Sequence, residues 1–323
     1  MRRSGLSSEP VGRWDGLTVK ADRPERPGLR VEVTAGRRLS IRQADRVVLL
    51  GLQRSRALGV FYARTGRYRS PLPPLRAAHA RRIRETSADD DAWAARWAHT
   101  FTEQLQSAGE GPLHSGSWVL ARGMPSWCVA GHWQRLAAVA PDRGHITWFG
   151  YGDPDEDQRD VLPLRRLSPA GVGRVRSYRR QFQEGILPPA LLWWVSGLNT
   201  LLVLDGHDRI TAALAEQAVP EVLVLAPAVD PHVASVWQRH SIREYQGRIE
   251  HLDTARDSPF ASTHVASASR RFATTLGGIA RSEGRTRAWP LRGGPAAWHR
   301  EAAKLAPGWL GDLPPTADAE GPS

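Results

Sequence analysis

The residues best suited to chemistry in this 323-residue chain lie together in LLVLDGHDRITAAL, Leu201 to Leu214. Four apolar residues, Leu201 to Leu204, stop at Asp205-Gly206, and a helical pattern with Ile210, Ala213 and Leu214 on one face begins. An apolar run broken by Asp-Gly into helical spacing predicts a buried strand, a tight turn and a helix N-terminus. The first N–H groups of such a helix lack intrahelical partners, and the helix dipole is positive there. His207 and Arg209 add two cation-capable side chains at the same spot. Backbone amides of Gly206 to Asp208 and the Arg209 guanidinium together make a seat for a phosphate or carboxylate. His207 is then the candidate acid, base or phosphate contact, and Asp205 a candidate to activate a nucleophile or hold Mg²⁺. Without a ligand the same residues read as a common turn, with Asp205 capping the helix and Arg209 paired with Asp208 or Glu216.

The flanking elements must position that turn. VLPLRRLSP, Val161 to Pro169, predicts a short strand and then a helix start at Ser168-Pro169. The helix runs to Gly185, placed as its C-cap. ILPPALLWWVS, Ile186 to Ser196, predicts a second strand, and Gly197-Leu198-Asn199 turns it into Leu201–Leu204. After the DGHDR helix, Val219-Pro220 leads into a last strand, EVLVLAP, Glu221 to Pro227. Adjacent Trp193 and Trp194 on one strand point to opposite faces, so both faces of that strand must be covered.

This order (strand, helix, G-I-L-P-P strand, hairpin turn, strand, D-G-H-x-R helix, V-P strand) resembles the ParB/sulfiredoxin superfamily over residues 158–228. In partition-type ParB proteins the turn reads G-E-R-R and grips nucleotide phosphates. Gly206 and Arg209 match its ends, while His207 and Asp208 replace Glu and Arg, which weakens a triphosphate seat such as that for CTP. Sulfiredoxin carries G-C-H-R with a working Cys; His207 stands in that place, which excludes its chemistry. The variant most like this chain is D-G-H-H-R, found in superfamily kinases that phosphorylate free serine. Asp205, Gly206, His207 and Arg209 match it and Asp208 departs. The resemblance also implies that residues flanking Gly185 face the same cleft, which makes Glu184 a candidate general base or metal ligand. Arg180, with Arg179, could reach phosphates from that helix or satisfy its C-terminus.

The formal charge is +11, and 42 of the 44 basic residues are arginine, Lys20 and Lys304 being the exceptions. With abundant Ala, Gly and Pro, that bias resembles a GC-rich coding background of actinobacterial type. Its distribution says more: residues 1–150 hold 24 basic and 13 acidic residues, whereas 151–323 hold 20 of each. A basic half joined to a neutral half predicts an anionic partner for the first, nucleic acid being the usual one, or a solvated arginine-rich surface. One cysteine excludes an internal disulfide and fits a reducing cytoplasm. No apolar run approaches spanning length and no secretory signal is seen, so a membrane partner is not expected.

Elsewhere, residues 1–28 read as a disordered or loosely attached basic arm. A basic α+β segment follows over 29–111, with strands at Leu29–Thr34, Arg46–Leu50 and Gly59–Ala63 and helices at Arg76–Thr86 and Ala92–Gln106. Trp93, Trp97 and Phe101 recur at helical spacing and read as core. The unit 112–228 adds strands at Ser117–Gly123 and His145–Gly152, around a helix near His132–Val139, to the ParB-like core. A helical extension at 229–311 and a mobile tail at 312–323 complete the chain. Asp153, Asp155 and Asp157 start a calcium-loop spacing that fails at Gln158 and Leu164, leaving a charged loop. Cys128 with His132 cannot close a zinc site. The pair His240 and His251 has no third ligand nearby in sequence.

The expected fold is α/β, a small mixed sheet with an N-terminal α+β segment and a helical extension. The expected function is binding of a nucleotide (ATP, ADP or CTP, with or without Mg²⁺) or a phosphorylated small molecule, extending to phosphotransfer or nucleotide hydrolysis. The alternative is a DNA-associated adaptor or regulatory protein that uses its basic half, with the core as a non-catalytic module.

Overall fold

The computed structural model describes residues 2–8, 13–54, 59–123, 133, 136, 142–147, 161–254, 261–281 and 284–313. Asp153, Asp155, Asp157, Cys128 and His132 lie outside them.

The fold is α/β, built on two mixed sheets. The seven-stranded sheet contains β1 (Arg2–Ser8), β2 (Arg13–Ala21), β7 (Gly116–Arg122), β9 (Val161–Pro163), β10 (Ala190–Val195), β11 (Thr200–Asp205) and β12 (Val222–Pro227). Their order across the sheet is β1-β2-β7-β12-β10-β11-β9. β11 pairs antiparallel with β10 and parallel with β9, so the strand that carries Asp205 is held on both sides. The six-stranded sheet contains β3 (Leu29–Thr34), β4 (Arg38–Gln43), β5 (Arg46–Leu52), β6 (Gly59–Arg64), β8 (Arg143–Thr147) and β13 (Ala288–Pro290), in the order β13-β3-β4-β5-β6-β8.

One apolar core unites the sheets. It takes Leu17 and Val19 of β2, Ile41 of β4, Val60 of β6 and Leu191, Trp193 and Val195 of β10. The helices α1 (Ala77–Glu85) and α2 (Asp90–Ser107) join it through Ile83, Trp93, Trp97 and Phe101. Thus the aromatic stripe is core. On β10 the alternation is strict, since Trp194 falls in the core of the opposite sheet face with Leu192, Val203 and Val224. That face is covered by α4 (His207–Ala215) through Ile210, while α3 (Gly173–Gln183) packs on α4 through Val175, Tyr178 and Ala212.

Two expectations are corrected. Residues 2–8 and 13–21 are not a loose arm: β1 and β2 extend the seven-stranded sheet. The physical reason is the alternation Leu17, Val19, Ala21, all buried, against β7 nearly a hundred residues away. The segment boundary near 112 does not divide the sheets either, because β8 pairs with β6 rather than continuing from β7. The C-terminal segment carries α5 (Pro231–Thr254), α6 (Ala261–Arg281) and α7 (Gly294–Leu305), with the short β13 between α6 and α7. Among the described residues, no helix is long and apolar enough to cross a membrane.

Candidate functional site

Gly206 makes the turn from β11 into α4 at φ +92°, a left-handed conformation that glycine tolerates and other residues rarely adopt. A Cβ there would also lie 2.9 Å from Ala190 Cα and 2.8 Å from an Arg209 nitrogen, so this position needs glycine twice over. The turn is therefore packed against the start of β10. His207, Asp208 and Arg209 are all buried.

Each buried charge has a protein partner. Arg209 Nη2 donates to Asp205 Oδ2 at 2.8 Å and to the Pro189 carbonyl at 3.1 Å. The Arg209 guanidinium also lies 5.9 Å from the centre of the Phe101 ring. Asp205 Oδ1 accepts from the Ser70 hydroxyl at 2.6 Å, which ties β11 to the segment before α1. Asp208 pairs with Arg165 at 3.0 Å and Arg174 at 3.3 Å, and accepts from Ser168 at 2.8 Å. Asp208, expected as a phosphate contact through its backbone, thus carries a side chain that anchors the 165–174 segment to α4.

His207 is 2 % exposed. Its Nε2 accepts from the Arg165 backbone N–H at 3.4 Å, which leaves the proton of the neutral ring on Nδ1. Burial first, then the nearby Arg165, Arg64 and Arg209, push its pKa well below the ordinary 6.5. The Tyr68 ring lies 5.9 Å away, and the Tyr68 hydroxyl donates to the Leu204 carbonyl. Burial raises that phenol's pKa well above 10.0, so Tyr68 stays a neutral donor.

The expected convergence of His207, Glu184 and Arg209 on one cleft does not occur. His207 is sealed inside the turn, and Glu184 is exposed at the end of α3, paired with Arg81 of α1 at 2.9 Å. Charge type suggested a reachable site, but the apolar packing of β10, β11 and α4 encloses the turn. Arg180 is exposed on α3. Gly185, at φ +68°, closes α3 as expected: its N–H bonds to the Phe182 carbonyl and that of Ile186 to Gln181.

What Arg209 does reach is a cavity of about 360 Å³ between α2, the end of α3, α4 and the entry to β12. Its apolar wall includes Phe182, Leu187, Pro188 and Ile210, and Trp93, Glu221, Arg84 and Asp90 edge it. Trp93 Nε1 donates to Glu221 at 3.3 Å, while Arg84 pairs with Asp90 at 2.8 Å and lies over the Trp93 ring. No family model, curated protein or solved structure matches this chain. The cavity's chemistry must therefore be read from its own atoms. A guanidinium has five N–H donors. Arg209 spends both from Nη2; among the described residues Nε is buried without a partner and Nη1 has no hydrogen bond. Sequence reasoning singled out Arg209 but missed Trp93, Glu221 and Arg84, which come from distant segments and carry no local signal of a site.

The sealed imidazole has a measurable consequence. With a folded pKa below the unfolded value, the unfolded chain takes up a proton that the folded chain refuses. Stability linked to His207 is thus complete above about pH 6.5 and falls below it by about 1.4 kcal/mol per pH unit, until the depressed folded pKa is reached. Urea unfolding across this range should show a flatter acid limb for His207→Gln, whose amide oxygen can still accept from Arg165. Equal slopes would mean that the ring is not buried in its neutral form.

Proposed function

We propose that this chain binds a nucleotide or phosphorylated metabolite in the cavity beside the Asp205–Arg209 turn, by recognition rather than catalysis at His207. The observation that carries this reading is the under-coordinated Arg209 guanidinium at the edge of an apolar cavity. Nη1 of Arg209 has no hydrogen bond among the described residues, and a charge-assisted bond from it to a ligand acceptor is worth about 1.5–3 kcal/mol, whereas Nε has no accessible surface. With Arg84 and Asp90 paired to each other, apolar walls for a flat body, the Arg209 cation and the Glu221 carboxylate suit a phosphate or carbonyl at one end and an amino group at the other. The resemblance of Gly206 and Arg209 to the ends of the phosphate-gripping turn, and of Asp205, Gly206, His207 and Arg209 to the D-G-H-H-R turn of the superfamily kinases, supports the same choice. A volume near 360 Å³ favours a mononucleotide-sized ligand over a fully enclosed triphosphate.

Phosphotransfer has less support. Asp205 and Asp208 are committed to arginines and His207 is sealed, so none of the three is free to move a proton to a ligand in this conformation. Any Mg²⁺ would have to arrive with phosphate oxygens, because no group of three metal-ligating side chains occurs among the described residues. The adaptor reading is weakened by the same kind of observation. Many arginines of the basic half sit in internal pairs, including Arg3–Glu103, Arg46–Glu110, Arg64–Asp142 and Arg122–Asp91.

A thermal-shift screen of nucleoside mono-, di- and triphosphates, with and without Mg²⁺, tests the proposal. A ligand at a hundred times its Kd stabilises by about 2.7 kcal/mol. Arg209→Lys, which retains a cation for Asp205 but loses the spare donors, should abolish the shift, as should Leu187→Trp, which fills the apolar wall. If no nucleotide moves the melting temperature, or if both folded variants still respond, this reading fails. DNA affinity with a steep inverse dependence on salt would favour the adaptor instead.

A further inference from the structure

A second cavity, of about 470 Å³, lies on the six-stranded sheet and is lined by residues of the basic half together with Arg292, none of which belongs to the Asp205–Arg209 turn. It is lined by Arg26, Arg30, Arg42 and Arg292, with Glu32 and Asp45. Glu32, on β3, is 2 % exposed and acts as the template for three of the four guanidiniums. Its Oε1 accepts from Arg26 Nη2 at 2.6 Å and Arg30 Nε at 2.7 Å, and its Oε2 faces Arg42 Nε at 3.0 Å. Arg42 is used up further by Glu301 and the Asp45 carbonyl. The others are not. Among the described residues, Arg26 keeps Nε and Nη1 free, Arg30 keeps Nη2 free, and Arg292 has no partner at all.

We propose that this cavity is a binding site for the terminal phosphate of a small phosphorylated molecule. Four guanidiniums face Glu32 and Asp45, and Glu301 neutralises Arg42 from behind, so the cluster keeps a net positive charge on the side of Arg26, Arg30 and Arg292, which draws in a phosphate oxyanion. Planar N–H forks bind tetrahedral oxyanions in pairs, and a buried carboxylate that fixes their orientation lowers the entropy lost on binding. The wall beside them is backbone: a Cβ on Gly28 would lie 2.1 Å from the Gly109 carbonyl oxygen, so no side chain intrudes there. The pocket is open to solvent, with Arg26 and Arg292 exposed at its rim and Glu32 buried at its base, so a terminal phosphate can enter it end-on. A nucleic-acid phosphodiester must extend chain on both sides, which suits a long stripe of cations rather than this single cluster.

Titration calorimetry with glucose 6-phosphate, inorganic phosphate and sulfate, and with a short DNA duplex, separates the sources. Arg292→Gln is the primary variant, because the exposed, unpaired side chain contributes nothing to the fold; Arg26→Gln is the second. Saturable binding of glucose 6-phosphate or inorganic phosphate, weakened about 10-fold or more by either variant, is the expected result. Binding of glucose 6-phosphate but not of free phosphate assigns an organic phosphate. Absence of phosphate binding, or affinity unchanged in both variants, overturns the proposal, and duplex binding that phosphate does not displace does so in favour of nucleic acid. Arg209→Lys should leave this binding intact, so the two cavities succeed or fail separately.

Discussion

Glu32→Gln should destabilise the protein by about 3–5 kcal/mol, the range found when one partner is removed from a buried ion pair. Glutamine has the same shape, so packing is preserved and the loss reports charge and hydrogen bonding. In the variant, three guanidiniums held within 3.0 Å of the carboxylate would face a neutral amide. One end of that amide is itself a donor and would point at other donors. The arginines are not fully buried, so water screens part of their mutual repulsion and the lower half of the range is expected. Salt separates the terms: repulsion among the arginines should weaken as ionic strength rises, so the deficit in urea unfolding should shrink at high salt. A loss under about 1 kcal/mol, independent of salt, would show that the cluster is a loosely solvated surface feature.

That cluster also shows where sequence reasoning stops. The excess of arginine in the first half was plain, and so was the strand Leu29–Thr34. Period-2 alternation in LRVEVT places Glu32 on the face opposite Val31 and Val33 but says nothing of Arg26, Arg42 and Arg292. Arg26 folds back from the segment just before the strand, Arg42 arrives through pairing with β4, and Arg292 through the approach of the C-terminal segment, which joins the sheet as β13. The hairpin of β10 and β11, the Asp-Gly turn, the Gly185 helix stop and the opposed faces of Trp193 and Trp194 were legible because each is set by neighbours in sequence. The burial of His207 was not legible. It depends on Arg165 and Tyr68, whose relation to the turn exists only after the sheet has closed. The strand Arg13–Ala21 did carry alternation at Leu17, Val19 and Ala21, but the polar, proline-rich surroundings outweighed it.

Trp298→Ala should cost about 3–5 kcal/mol, the usual scale for deleting a buried large aromatic side chain. Trp298 is 0 % exposed and joins α7 to the outer face of the six-stranded sheet, in a cluster with Val47, Leu50, Leu291 and Trp309. Its Nε1 donates to the Leu39 carbonyl of β4 at 2.8 Å, so truncation also strips a buried acceptor of its partner. Trp298→Phe isolates that part: most of the apolar area remains, the indole N–H is lost, and about 1–3 kcal/mol should go with it. Because Trp298 and Trp309 are the large groups that anchor the C-terminal segment, the damage should be local first. Amides of 294–305 should lose protection from hydrogen exchange before those of β10 and β11, whose cores lie on other sheet faces. Arg42 ties the same helix to the sheet through Glu301, so release of α7 should also loosen the arginine cluster around Glu32. The alanine variant should therefore weaken phosphate binding at that cluster while leaving the Arg209 cavity unchanged. Uniform loss of protection across both sheets would instead mean that α7 and the core unfold as one unit.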